Sequence, residues 1–331
     1  MLARLAPQVV VNSAKRQLYW KPAYSSLSVL IGRLTAKLWI ALIDATSNWS
    51  QSARTRLAGV IGNLLWGVVV PRRRITLTNL RLCFPALDEQ QRLLIARRCF
   101  RKIARSGLDR SVLSKGGRST VERYVEVQGI EHLQAAAGRP LILIAPHFVG
   151  LDAGGIRFNT LMRGISIYST QTNAVWDAWL LRARQRFNDP VLVARQGADM
   201  RTVMRSVRNG LPLYYLPDMD LGATNSIFLP FFGVPAATIP MVPRIARIVG
   251  AQVMMAVTEM TDDGYVLHFE PPWVDFPGES IEADTARMNR EIERWVLKMP
   301  DQYMWTHRRF KTRPPGLTSV YGRASRAQAR E

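Results

Sequence analysis

At its centre the chain reads Leu141-Ile-Leu-Ile-Ala145-Pro146-His147-Phe-Val-Gly150-Leu-Asp152-Ala-Gly154-Gly155. The apolar run that opens this stretch predicts a buried strand of an α/β sheet, and the proline and glycines after it predict the turn that ends the strand. His147 is therefore expected at a strand end. In open α/β sheets this is the edge where functional side chains collect.

His147 is followed five positions later by Asp152. On one continuous helix this spacing would point the two side chains more than about 100° apart, so they can meet only if His147 lies in the turn before a helix that carries Asp152. Asp152 would then accept the proton of one imidazole nitrogen while the other takes a proton from a bound hydroxyl. The pattern favours a general base with its orienting acid. The alternative is that the spacing arose by chance. The chain has 25 acidic residues and four histidines, so an acid five positions after one of the histidines is not rare.

Strand and helix patterns alternate beyond residue 116, which predicts a three-layer α/β core. The predicted strands span 141–145, 165–169, 191–194, 211–216, 251–257 and 265–270. The predicted helices span 176–187, 200–208, 240–249 and 285–299. A further helix is predicted over 85–106, with Asp88 near its start. We divide the chain into a helical, membrane-associated region (1–115), an α/β core (116–313) and a basic, disordered tail (314–331).

The N-terminal third is rich in apolar and basic residues. Its apolar stretches, 27–43 and 57–70, fall short of the ~20 uninterrupted apolar residues of a transmembrane helix. We expect helices that lie in an anionic membrane surface, with Trp20, Trp39 and Trp66 near the headgroups. Amphipathic helices packed on the core, or one tilted span over 27–43, are the alternatives.

The charge of the chain is strongly positive. Lys and Arg number 45 against 25 Asp and Glu, giving a formal net charge of +20 and a pI near 10.9. Such a balance indicates a polyanionic environment, and the sequence contains no recognisable nucleic-acid motif, so an anionic membrane and acidic ligands are favoured over nucleic acid. Two cysteines suffice for neither a metal site nor a disulfide framework. Without a secretory signal, the core is expected in the cytoplasm.

Three further groups of residues are candidates for the site. Asp218 and Asp220 follow a predicted strand, where they could bind a metal or act in acid–base chemistry, although Asp218 as an anchor for an arginine or a loop is favoured. Arg182, Arg184, Arg186 and Arg195 could hold a phosphorylated or carboxylated ligand or form a solvated face. The apolar segment 228–238 could line an acyl channel or pack under the sheet edge.

Six ordered segments carry a resemblance to a known family. They are Asn79-Leu-Arg-Leu-Cys-Phe84-Pro85, His147 to Asp152, Arg184-Gln-Arg186-Phe187, Pro217-Asp218-Met-Asp220, Phe231-Phe232-Gly233 with Thr238, and Pro300-Asp-Gln302-Tyr303-Met-Trp305-Thr-His307-Arg308-Arg309-Phe310-Lys311. Together these segments resemble the late acyltransferases of lipid A biosynthesis, the bacterial lauroyl and myristoyl transferases within the lysophospholipid acyltransferase superfamily.

The resemblance implies transfer of a fatty acyl chain from acyl carrier protein to a hydroxyl of a lipid A precursor that bears Kdo sugars. The reaction would take place on the cytoplasmic face of the inner membrane, with no metal and no cofactor beyond the thioester donor. His147 would be the base and Asp152 its partner. Substrate-binding residues are expected among Arg184, Arg186, Arg195, Asp218, His307 and Arg308.

One departure from the family pattern leaves the acceptor position and the acyl length open. The family often has Asn-Trp-Glu where this chain has Gly150-Leu151-Asp152. The same transfer to a lysophospholipid or another glycolipid is the alternative reaction. A non-catalytic, basic membrane scaffold is the alternative of a different class.

Overall fold

The computed structural model describes residues 26–322, and side chains from residue 30 onward. The helices are α1 Ser26–Ala45, α2 Gln51–Val68, α3 Val70–Cys83, α4 Glu89–Lys115, α5 Arg118–Tyr124, α6 Ile130–Ala135, α7 Leu151–Leu161, α8 Ala174–Arg184, α9 Met200–Arg208, α10 Met241–Val249 and α11 Ile281–Lys298. The strands are β1 Val125–Gln128, β2 Leu141–Ile144, β3 Ile165–Tyr168, β4 Val191–Ala194, β5 Leu213–Tyr215, β6 Ile227–Phe231, β7 Val234–Thr238, β8 Gln252–Met260 and β9 Tyr265–Phe269.

Seven strands form one sheet in the order β1-β9-β8-β2-β5-β3-β4. Only the β8–β9 pairing in this sheet is antiparallel. The four residues of β2 are all buried, as expected for a central strand covered on both faces. All six predicted strands are present, whereas β1 was not predicted.

Hydrophobic clusters cover both faces of the sheet, which confirms the predicted three-layer α/β class. Residues of α9, α10 and α11 pack on one face, together with Ile142 and Ile144 of β2. Residues of α7 pack on the other face with Leu141 and Leu143. Helix α7 lies very close to β8, since a Cβ at Gly150 would come within 2.8 Å of the carbonyl oxygen of Thr258. The glycine at this turn is therefore required by packing.

Helices α1–α4 precede the sheet. Residues of α3 and α4 belong to the core cluster of the sheet, whereas α1 and α2 pack on α4. The side chain of Asp88 caps α4 in a capping box with Gln91, as its position in the sequence predicted. Cys99 of α4 belongs to the cluster that also contains strand residues of the sheet. Asp109 of α4, fully buried, pairs with Arg54 of α2 and with Arg105. The N-terminal helices are thus fixed to the core by buried ion pairs as well as by apolar contacts.

Among residues 26–322, no helix combines the length and apolar character needed to cross a membrane. The predicted interfacial tryptophans behave differently from one another. Trp39 is exposed. Trp66 is half-buried and packs edge-on against Phe100 at 5.3 Å, with the guanidinium of Arg73 above its ring, so only part of its ring is available to a membrane surface. Trp20 lies outside the described residues.

The apolar segment 228–238 forms the β6–β7 hairpin. Phe231 is fully buried and contacts Tyr303 and Phe310, while Phe232 contacts Phe84. Phe231 and Phe232 therefore pack in the core. This agrees with the prediction that the segment packs under the sheet edge, and not with the alternative that these rings line an acyl channel.

Residues 314–322 lie against the body of the protein. The Tyr321 hydroxyl donates to Oδ1 of Asn79 at 2.5 Å and accepts from the backbone N–H of Phe310 at 3.0 Å. The expectation of disorder from residue 314 onward is corrected for this part of the tail, because the tyrosine anchors it. Arg323, Arg326 and Arg330 lie outside the described residues.

Candidate active site

His147 and Asp218 meet at the carboxyl ends of two neighbouring parallel strands. Strand β2 pairs with β5 in the register Ile144 to Tyr215. His147 follows the first of these residues by three positions, and Asp218 follows the second by three, so the two side chains leave the sheet at the same level. The imidazole Nδ1 is 2.7 Å from Oδ1 of Asp218, and the backbone N–H of His147 donates to Oδ2 at 2.9 Å. The acid that orients the histidine is therefore Asp218.

Asp218 is almost completely buried and accepts a third hydrogen bond. Its side chain is 1% exposed, and the hydroxyl of Tyr303 donates to Oδ2 at 2.9 Å. Burial by itself would raise the pKa of the Asp218 carboxyl, but the charge and hydrogen bonds of His147 and the Tyr303 hydroxyl hold it well below its usual value. An ionised carboxylate only accepts, so Nδ1 of the ring carries a proton, and in the neutral imidazole Nε2 is then the acceptor.

The expected contact between His147 and Asp152 is not formed, which corrects the predicted pair. Asp152 lies in the first turn of α7, where Oδ1 accepts from Nη2 of Arg184 at 2.6 Å and Oδ2 accepts from Nη2 of Arg110. Burial would raise the pKa of Asp152, but Arg184 and Arg110 lower it well below its usual range. Asp152 therefore holds two arginines, and its two oxygens are already occupied.

The predicted role of Asp218 as an anchor is correct for the loop and wrong for an arginine. Asp218 accepts from the backbone N–H of His147 in the loop after β2, and its other partners are the imidazole of His147 and the hydroxyl of Tyr303. Asp220 anchors a second loop. It accepts from the backbone N–H and the hydroxyl of Thr312 at 2.6 and 2.7 Å and from the backbone N–H of Gly222 at 3.0 Å.

The C-terminal segment fixes the loop that carries His147. The backbone N–H of Met304 donates to the carbonyl of His147 at 2.9 Å, and the N–H of Val149 donates to the carbonyl of Gln302 at 2.8 Å. Asn79 of α3 in turn donates to the carbonyls of Trp305 and His307 at 2.8 and 2.7 Å. Distant parts of the sequence thus converge on one loop.

His307 lies beside His147, with ring centroids 5.3 Å apart and the rings nearly perpendicular. Burial, and then the neighbouring His147, lower the pKa of His307 to about 4. A neutral imidazole offers one N–H donor and one acceptor to a ligand. His307 can therefore offer a donor and an acceptor beside His147, and its role in substrate binding stays a prediction.

A cleft of about 720 Å³ opens above these residues. His147, Asp152, Arg184, Arg195 and His307 line it, and so does Arg110, which the sequence did not single out. The remaining lining includes apolar side chains such as Ile167, Leu180, Leu192, Met219, Met241 and Met304. A cleft of this size, with a mainly apolar lining and several polar and charged groups, suits a ligand with a long apolar part and a polar part.

Two predicted substrate-binding arginines lie elsewhere. Arg186 donates to the backbone carbonyls of Leu113 and Gly116, both at 2.6 Å, and thereby ties the end of α8 to the end of α4. Arg308 is exposed, with its guanidinium carbon 6.0 Å from the centre of the Tyr321 ring. Neither side chain is among the described residues that line the cleft.

Sequence reasoning missed Tyr303, Asn79 and Arg110 as site residues. Tyr303 and Asn79 lie inside two of the segments that carry the family resemblance, so the signal was present but no contact could be assigned to it. Arg110 had no such signal, because it is one of many basic residues of α4.

Comparison with known proteins identifies the family. The model of the bacterial lipid A biosynthesis acyltransferase family matches residues 24–312. The lipid A biosynthesis lauroyltransferase of Escherichia coli (strain K12) is 32% identical over 271 residues, covering 80% of this chain and 88% of that protein. The palmitoleoyltransferase of the same organism is 29% identical over 76% of this chain and 82% of its own length.

The lipid A biosynthesis myristoyltransferase of Escherichia coli (strain K12) is 28% identical over 76% of this chain and 79% of its own length. Three relatives at similar identity are thus named for three different acyl groups, so the acyl length of this chain does not follow from similarity. The scaffold alternative is not supported, because the relatives are transferases. The chain belongs to the bacterial lipid A biosynthesis acyltransferases, and its activity is the late acylation of lipid A.

Proposed function

We propose that this enzyme transfers a fatty acyl chain from acyl carrier protein to a hydroxyl of a Kdo-bearing lipid A precursor, with His147 as the general base. The observation that carries the proposal is the hydrogen bond between His147 and the buried Asp218 at the wall of a large, mostly apolar cleft. Acyl transfer to a hydroxyl needs a base that faces the acceptor, and Nε2 of His147 is the free acceptor atom.

The reaction proceeds by direct transfer. Nε2 of His147 takes the proton of the acceptor hydroxyl as its oxygen attacks the thioester carbonyl, and Asp218 stabilises the imidazolium that forms. N–H donors at the cleft stabilise the tetrahedral oxyanion. The carbon–sulfur bond then breaks, and the proton held by His147 passes to the departing sulfur. The products are the new ester and the carrier protein with a free thiol.

Neither cysteine supports an acyl-enzyme route. Cys83 and Cys99 are buried, and burial raises the pKa of Cys99 to about 12 and that of Cys83 further still. A thiol is nucleophilic only as the thiolate. Neither residue is among the described residues that line the cleft.

Helix α1 supports attachment to the cytoplasmic face of the inner membrane. Five exposed apolar residues form what we call the α1 stripe: Leu30, Ile31, Leu34, Leu38 and Leu42. Arg33 and Lys37 are exposed on the same helix. An apolar stripe next to cations fits the surface of an anionic bilayer. Helix α1 packs on α4 and α8, whose Arg110 and Arg184 line the cleft, so a lipid acceptor could reach the cleft from the bilayer.

The decisive experiment is mass spectrometry of the product made by purified full-length enzyme from mixed acyl carrier protein thioesters and a Kdo-bearing lipid A precursor. The wild-type protein should add one acyl mass, and His147→Ala should add none while keeping the wild-type melting temperature. Absence of product from the wild-type protein, with lysophospholipid acylated instead, would overturn the proposed acceptor. A covalent acyl adduct on the wild-type protein would overturn direct transfer.

A further inference from the structure

Arg110, Asp152 and Arg184 form a charged cluster on the cleft wall that general-base catalysis by His147 does not use. The three residues come from α4, α7 and α8, and all three line the cleft. One carboxylate holds two guanidinium groups, one on each of its oxygens. The cluster therefore carries a net charge of one positive unit.

The two guanidinium groups keep hydrogen-bonding capacity toward the cleft. The side chains of Arg110 and Arg184 are 32% and 28% exposed. Within residues 26–322, the hydrogen bonds of the two guanidinium groups use Nη2 of Arg110 and Nε and Nη2 of Arg184, so neither Nη1 atom donates to protein. Asp152 fixes the position of both groups but neutralises only one charge. The remaining charge and free N–H donors favour a second anion.

We propose that Arg110 and Arg184, held by Asp152, form a subsite for a phosphate group of a substrate. This inference rests on the proposed function, which supplies two sources of phosphate: the phosphorylated lipid acceptor and the phosphate of the carrier protein's prosthetic arm. The Nη1 group of each guanidinium is not used by Asp152, and two such charged donors on one side of a cleft can hold the oxygens of one phosphate. The subsite would orient the substrate relative to His147.

The test uses the full chain with Arg110→Ala and a matched control, Arg182→Ala. Arg182 is exposed on α8 and is not among the described residues that line the cleft, so both variants lose one positive charge. Loss of charged hydrogen bonds should raise the KM for the phosphate-bearing substrate by about 10- to 100-fold with kcat nearly unchanged. A raised KM for the lipid identifies the acceptor phosphate, and a raised KM for the thioester identifies the donor phosphate. Arg182→Ala should resemble the wild-type enzyme.

A binding measurement separates this inference from the proposed function. Inorganic phosphate should raise the melting temperature of the wild-type protein and of Arg182→Ala, and should raise that of Arg110→Ala much less. This result does not need turnover, so it stands even if no lipid A precursor is acylated. If Arg110→Ala does not fold, Arg110→Lys, which keeps the charge and loses the fork, takes its place. Equal phosphate shifts in all proteins, or unchanged KM values for both substrates, would overturn the subsite.

Discussion

Nδ1 of His147 lies 2.7 Å from Oδ1 of Asp218, although the two residues are 71 positions apart in the chain. Asp218→Asn keeps the size of the side chain but removes the charge that stabilises the imidazolium. We expect kcat to fall by about 10²- to 10⁴-fold, with KM changed far less. Steady-state kinetics of the purified variant would measure this.

The matched comparison is Asp152→Asn, which leaves Arg110 and Arg184 without a charged partner. This variant should lower the melting temperature and alter KM, and it should lose less kcat than Asp218→Asn. The opposite order of kcat losses would restore Asp152 as the acid that orients His147.

The hydroxyl of Tyr303 fixes the second oxygen of Asp218. Tyr303→Phe removes only this hydroxyl and keeps the ring, which packs against Phe148 and Trp305. Since Asp218 keeps its bonds to His147, we expect a loss of about tenfold in kcat at unchanged KM, and about 1 to 2 kcal/mol in the free energy of unfolding. Kinetics together with urea denaturation would test this, and wild-type kcat in the variant would contradict a positioning role.

His307 should make the stability of the protein depend on pH. Its folded-state pKa of about 4 lies below the ordinary histidine pKa of 6.5, so the unfolded chain binds the proton first as the pH falls. The stabilisation is complete above pH 6.5 and is lost as the pH falls toward 4. Between pH 7.5 and pH 5 the loss amounts to about 2 kcal/mol.

His307→Asn removes this titration. Urea denaturation at the two pH values should therefore show a smaller decrease in the free energy of unfolding for His307→Asn than for the wild-type protein. Equal decreases in both proteins would mean that the imidazole of His307 is not kept neutral by its surroundings.

Binding to membranes should depend on the α1 stripe. Leu34 and Leu38 are 56% and 60% exposed, so the double variant Leu34→Gln/Leu38→Gln should fold normally. Full burial of a leucine side chain contributes about 1.5 to 3 kcal/mol, and these two have little more than half of their surface left to bury, so binding to vesicles with anionic lipid should weaken by about 20- to 300-fold.

The control for the membrane experiment is Ile248→Gln/Leu297→Gln, which changes two exposed residues of α10 and α11 outside the stripe. Co-sedimentation with vesicles would measure both variants. Similar losses in both would show that general surface hydrophobicity, and not α1, governs binding.

The sequence by itself determined the class of the fold and the position of the histidine that we propose as the base. The apolar run before His147 and the alternation of strand and helix patterns depend on local periodicity, and β2 and the other five predicted strands appear where that periodicity placed them. The capping box at Asp88 is local as well. The ordered segments with family-like spacing identified the family, since motif order can be read without any contact.

Only the tertiary structure decided which acid serves the histidine. Asp152 is near His147 in sequence, but the start of α7 directs its carboxylate toward Arg110 and Arg184. Asp218 is distant in sequence, but the pairing of β2 with β5 brings the ends of the two strands side by side. Strand order in a sheet is a property of the whole chain, because each pairing is selected by the burial of every neighbouring strand and helix. The roles of Tyr303, Asn79 and Arg110 became visible only through that arrangement.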